Sequence, residues 1–357
     1  MLGSHPDSCA ASPCRKVARA PLDDKASAGA RWATFTPEHV LESNSHTPRM
    51  VARRVALASA LLVALANRPL TVLAQGTPPA PPPADLLQRV RALGLPSSTD
   101  RLTVYFNRGH EAKAVRIRTL VQEARQFFAD SLGLSPELAI AVLERSTWDR
   151  LITWQPYGIP GVQGTPPVAF LPATDDNLAA NDALSLEAAI SDTARRLITA
   201  SGRTWTEASK RYVDLVGLHE LGHAFAAAYG IDVPSKWFNE WLATYFCYTY
   251  LRAVRPTDAK LWEGILQGYR DAAHPEHRTL EAFERLYFGV GAQNYVWYQA
   301  RFQQQVQRLH DALGVEFLRR LKQAFPRGAT RVASREELLQ RLDAIEPGFG
   351  TWAATMR

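Results

Sequence analysis

The chain has 357 residues, 46% of them hydrophobic and 21% charged, with a formal net charge of +6. Much of that excess sits at the start. Residues 1–74 hold nine Lys/Arg against five Asp/Glu, leaving 32 against 30, so charge gives no warrant for nucleic-acid binding. Only Cys247 of the three cysteines lies beyond residue 74, which excludes an internal disulfide framework there.

In chain order, residues 1–49 are mixed in character, carry Cys9 and Cys14, and read as an upstream extension or disordered segment. Met50-Val51-Ala52-Arg53-Arg54 then forms a positive head for the apolar run Val55 to Ala66, with Val72-Leu73-Ala74 at a cleavage position. Residues 50–74 therefore read as a signal peptide, with an apolar run too short to span a bilayer. This predicts an exported protein, periplasmic or secreted, without a stable membrane span after cleavage. Residues 75–84 are a proline-rich tether.

The mature chain, 85–357, is long enough for one large domain or two packed lobes and shows no internal repeat. Leu102–Phe106 reads as a strand, Glu111–Leu132 as a helix ended by Gly133, and Leu138–Leu143 as an apolar strand. A Gly/Pro-rich loop follows, Gln155 to Pro167, and then Val168–Leu171. Flanking prolines suit that last segment to a sheet edge, although a short buried strand fits it too. From Leu184 the pattern is helical: Ser185–Thr199, a long helix closing at Gly230, another ending near Val254, Ala259–Tyr269, and an aromatic helix from Ala292. The expected class is α+β, with a small mixed-sheet lobe (85–200) followed by a mainly helical lobe (201–357).

The long helix carries the chemistry. Thr204 and Glu207 fit a capping box at its start, and Tyr212, Leu215, Val216, His219, His223 and Ala226 recur on one face. His219-Glu220-Leu221-Gly222-His223 is an H-E-x-x-H stretch. Its histidines, four apart, reach one ion from the same face, while Glu220 is rotated beside it. After the short loop Ile231–Pro234, a second helix running back antiparallel brings Glu240 toward the pair. Two histidines, one carboxylate and an open position describe a catalytic zinc site.

The second helix adds a resemblance. Trp237-Phe238-Asn239-Glu240-Trp241-Leu242-Ala243-Thr244-Tyr245 resembles the W-x-N-E-G-x-A-x-Y signature of the aminopeptidase-N-like gluzincins. Trp241 stands where that family has glycine, and the interval from His223 to Glu240 is shorter, as in the smaller peptidase MA-like domains. The resemblance covers roughly residues 100 to 325. It implies a gluzincin/thermolysin-like domain, one Zn2+ per chain on His219, His223 and Glu240, Glu220 as general base, and peptide or protein substrates. It further implies a tyrosine that supports the oxyanion. Tyr298 is so placed relative to Leu309–Phe317, with Tyr295 as its rival and core packing as the plain reading of both. Asn239 corresponds to the residue before the ligand glutamate, where it could equally be an ordinary helix-start residue, and Thr244 and Tyr245 lie one turn beyond. Neither the large N-terminal β domain nor the G-x-M-E-N-type segment of the aminopeptidases is present, which favours an endopeptidase.

The competing reading is a binding or envelope-assembly module that kept a peptidase-like fold without catalysis. Glu220 argues against it, since a structural zinc site has no use for that residue. His274-Pro275-Glu276-His277 reads as a loop with surface histidines, and neither His110 nor His310 needs a special role. Cys247 reads as a small core residue, and the tryptophans as core more than cleft.

Overall fold

The computed structural model describes residues 85–231, 233–326 and 334–356. The expected extension, signal peptide and tether lie outside them. The first lobe runs α1 (Leu86–Ala92), β1 (Ser97–Thr99), β2 (Thr103–Phe106), α2 (Glu111–Leu132), β3 (Ala139–Leu143), α3 (Arg145–Leu151), β4 (Gly161–Gln163) and β5 (Val168–Pro172). The sheet order is β1-β2-β3-β5-β4. Its centre is parallel, and β1 and β4 pair antiparallel at the two margins. Every residue of β3 and β5 is buried. Ile140, Val142 and Leu171 face the helices, whereas Ala141, Leu143 and Phe170 join Leu86, Val90 and Trp148 in a smaller core on the other face. Burial on both faces is why these strands are unbroken apolar runs.

The sheet departs from expectation at its edge. Val168–Leu171 is not an edge, because β5 lies between β3 and β4. The margin on that side belongs to Gly161–Gln163, inside the stretch that reads as a Gly/Pro-rich loop. Glycine is what lets it pair: a Cβ at residue 161 would lie 2.4 Å from Cζ of Phe170.

The second part is helical: α4 (Leu178–Ser185), α5 (Asp192–Ala200), α6 (Trp205–Tyr229), α7 (Lys236–Val254), α8 (Pro256–Ala272), α9 (Leu280–Leu286), α10 (Ala292–Leu313), α11 (Glu316–Ala324), α12 (Arg335–Ile345) and α13 (Phe349–Ala354). The single helix expected over Ser185–Thr199 is instead the end of α4, a 3-10 turn at Leu186–Ala188, and α5. Ser191 starts α5 afresh, its Oγ accepting from the Ala194 N–H at 3.3 Å. No helix among the described residues is long and apolar enough to cross a membrane.

Helix α6 is the axis of this part, packing on α7, α8, β4 and β5. Its expected capping box is formed: the Glu207 N–H donates to Thr204 Oγ1 at 3.3 Å, and the Thr204 N–H donates to Glu207 at 2.9 Å. Gly230 ends it in the left-handed region, φ 85°. A buried ion network fixes its first half. Asp214 meets Lys113 at 2.8 Å and Arg116 at 3.1 Å, both on α2, and Arg211 at 2.9 Å. Arg211 continues to Asp258 of α8 at 2.7 Å. Burial alone would raise the Asp214 carboxyl, but Lys113, Arg211 and Arg116 outweigh it and hold the group below its ordinary range.

Candidate metal centre

The site begins with two glycines that let α6 lie close to its neighbours. A Cβ at Gly217 would sit 2.3 Å from Leu171 Cδ2 of β5, and one at Gly222 would sit 2.4 Å from the Ala243 carbonyl oxygen of α7. Gly222 is the second variable position of the H-E-x-x-H stretch. Its missing side chain allows the backbones of α6 and α7 to approach where Glu240 must reach the histidines.

His219 and Glu240 are 4% and 3% exposed, while the His223 side chain keeps 27% of its surface. The two imidazole centroids are 5.2 Å apart, with ring planes at 86°. Glu240 Oε2 lies 3.3 Å from His219 Nε2, and Oε1 lies 3.7 Å from His223 Nε2. One nitrogen from each ring and one carboxylate oxygen all lie within 4.8 Å of one another. Two imidazoles and a carboxylate are a borderline-to-hard donor set of the kind that holds zinc. The residues fit such an ion.

The charges are strongly coupled. Burial pushes the Glu240 carboxyl up, but His223 and His219 overcome it and hold the group well below its ordinary value. For His223, burial favours the neutral ring, yet the Glu240 and Glu220 carboxylates prevail and bring its pKa to about 9. A cation binding there must displace that proton. Glu220, half-buried at the rim, shows the opposite balance. Burial raises it, His219 and His223 pull it down, Glu240 raises it again, and the net shift is upward. A carboxylate with a raised pKa is a better proton acceptor than an ordinary one.

The structure brings together His219, Glu220, His223 and Glu240, but not Tyr298. That phenol donates to the Thr279 carbonyl at 2.8 Å, packs fully buried against Phe283 and Phe302, and is pushed up to about 12 by burial. The reason is helical phase. On α10 the residues nearest Glu240 are Tyr295 and Gln299, four apart, and Tyr298 is turned about 100° from Gln299. Tyr295, the rival, does stand beside Glu240, whose charge together with burial raises its phenol well above the ordinary range.

Two groups at the site escaped the sequence reading. The Tyr287 hydroxyl donates to Glu240 Oε1 at 2.6 Å, and Gln299 Nε2 donates to Glu240 Oε2 at 2.8 Å. Only an aromatic run ahead of Leu309 pointed toward that region. Of the residues expected near Glu240, Thr244 is there, with Oγ1 3.2 Å from His219 Nδ1. Tyr245 is not: it donates to the Gly314 carbonyl at 2.8 Å. Asn239 is exposed. Trp241, the departure from the gluzincin signature, is fully buried among Phe238, Tyr245, Phe317 and Phe349, so it anchors α7 to α11 and α13. His274 and His277 lie in the loop between α8 and α9, and Cys247 is buried.

These features define an α+β chain with a mainly helical second part and a candidate centre of two histidines and a glutamate. Comparison with protein-family models, curated proteins and solved structures finds no match.

Proposed function

We propose that the protein is an exported zinc-dependent peptidase, acting within peptide chains more readily than at their free ends. The observation that carries this reading is the convergence of His219, His223 and Glu240 donor atoms, with Glu220 next to His219 on the same helix. His219, His223 and Glu240 would hold the ion, whose chemistry when bound is to acidify a water and polarise a carbonyl.

The chain's own residues supply the rest. Glu220 accepts the proton of the attacking water and returns it to the leaving amine. Tyr295, beside the site, replaces Tyr298 as the phenol able to donate to a developing oxyanion. Of the two sheet margins, β4 is the one that packs on α6, and strand addition there would lay the substrate backbone beside that helix. Gln155 prepares that margin by donating from Nε2 to the Ile159 and Pro160 carbonyls at 2.8 and 2.9 Å.

The test uses mature protein with denatured casein or a cell-envelope extract, with and without chelator, alongside metal analysis. The expected result is one zinc per chain and chelator-sensitive cleavage. Glu220→Gln should keep the zinc and lose the cleavage. Zinc without product from either substrate, in wild-type protein, would favour the binding-module reading.

A further inference from the structure

We infer that Gln299 and Tyr287 are positioning residues for the metal-ligating carboxylate, and that Glu284 holds Tyr287 in place. The inference rests on the metal-site reading above and deepens it. Glu240 is the one proposed ligand that does not come from α6, and a glutamate side chain has three torsions to fix. Its Oε1 accepts from Tyr287 and its Oε2 from Gln299, and Tyr295 stands beside the same carboxylate. The same two oxygens face the centre, with Oε2 beside His219 and Oε1 beside His223.

Gln299 also belongs to a closed ring of side chains. From Glu240 Oε2 the ring passes to His219 Nε2 at 3.3 Å, and from His219 Nδ1 to Thr244 Oγ1 at 3.2 Å. It continues from Thr244 Oγ1 to Gln299 Oε1 at 3.4 Å, and closes from Gln299 Nε2 to Glu240 Oε2 at 2.8 Å. The Thr244 hydroxyl has one proton, and two acceptors attract it: Gln299 Oε1 and the Glu240 carbonyl at 3.0 Å. Its oxygen is then left to accept from His219 Nδ1–H, which frees Nε2 as the ligating nitrogen. One glutamine thus orients the carboxylate directly and supports the histidine tautomer through Thr244.

Tyr287 is held differently. Its backbone lies at φ 48° and ψ −113°, a conformation that strains a non-glycine residue and persists only when its surroundings impose it. Glu284, three residues earlier, supplies that constraint. Its carboxylate accepts from the backbone N–H groups of Lys236 and Trp237 at 2.9 and 3.3 Å, and from Ser235 Oγ at 3.1 Å. Lys236 Nζ also donates to the Glu284 carbonyl at 3.1 Å. The end of α9 is thereby fastened to the first turn of α7, one turn before Glu240. The distance from Tyr287 to Glu240 is set by this short path.

The experiment measures zinc affinity by competition with a chromophoric chelator, and the visible absorption of Co2+-loaded protein, on the mature chain. Tyr287→Phe and Gln299→Leu, both close in size to the native residues, should each weaken zinc about 10–100-fold and shift the Co2+ bands. The metal-free unfolding midpoint should change little. Glu284→Ala should weaken zinc to a smaller degree and add little to Tyr287→Phe in a double-mutant cycle. Native affinity and an unchanged Co2+ spectrum in both Tyr287→Phe and Gln299→Leu would overturn the inference while leaving the metal site standing. Full additivity of Glu284→Ala with Tyr287→Phe would remove Glu284 from it. A wild-type chain that binds neither ion would sink the metal-site reading and this inference together.

Discussion

Two regions meet at Glu240, and they were built by different rules. The α6/α7 pair gathers four chemical side chains within 22 residues of sequence, and each sits where its helical phase puts it. The stretch from Thr279 to Gln299 delivers Tyr287, Tyr295 and Gln299 to the same carboxylate from a strained 3-10 turn and a long helix. The first region can be read from periodicity. The second becomes legible only once the chain has folded back, because no local spacing relates residue 287 or 299 to residue 240. The chemistry is encoded locally here, and its fine placement at long range.

The largest effects are expected at the ligand and the base. Glu240→Ala should abolish stoichiometric zinc in metal analysis. Glu220→Gln, one residue from a ligand, should retain zinc and lose about 10²–10⁴-fold in turnover on a casein assay. Equal metal loss in both variants would mean that Glu220 is itself a ligand.

Next in size is the helix contact that makes the local region possible. Gly222→Ala places a methyl 2.4 Å from the Ala243 carbonyl, where backbone and not a flexible side-chain end must move. Denaturant unfolding should show a loss of about 1–3 kcal/mol, the usual cost of overpacking, with weaker zinc binding alongside. A neutral effect would show that the two helices are not held at this distance.

A third test separates the site from the ion network upstream on the same helix. Asp214 has a folded pKa below its unfolded value, so its contribution is fully present above the unfolded carboxyl pKa of about 3.9. That contribution is lost as pH falls from there through the depressed folded value. Thermal unfolding of the metal-free protein below about pH 4 should therefore steepen with acid, and Asp214→Asn should flatten that limb. An identical acid limb in the variant would exclude Asp214 as its source.

The smallest effect is expected at Tyr298. Removing its hydroxyl in Tyr298→Phe deletes one bond to the Thr279 carbonyl, worth about 1 kcal/mol, and should leave turnover and zinc affinity as they are. A large fall in turnover would restore Tyr298 to the chemistry and contradict its helical phase.

Much of the framework was legible beforehand because it depends on near neighbours. The capping box at Thr204, the stop at Gly230, the doubly buried strand at Ala139–Leu143 and the α+β order all follow from local spacing and composition. The same holds for His219, Glu220, His223 and Glu240 as a set. Gly161–Gln163 was not legible as a strand, since its partner is β5 and its glycine is the residue that usually marks a loop. The break between α4 and α5 was hidden by unbroken helical composition across Ser191. Tyr298 looked well placed by counting from Gly314, but a count along the chain carries no information about rotation about α10.

What the amino-acid sequence determined alone was the presence of two helices with ligand-type side chains at helical intervals, because those intervals are set by 3.6 residues per turn. What tertiary structure decided was how near the helices lie and who holds the carboxylate between the rings. Those distances depend on Gly222 against the Ala243 carbonyl, and on donors 47 and 59 residues from Glu240. Such contacts exist only when every intervening element has packed.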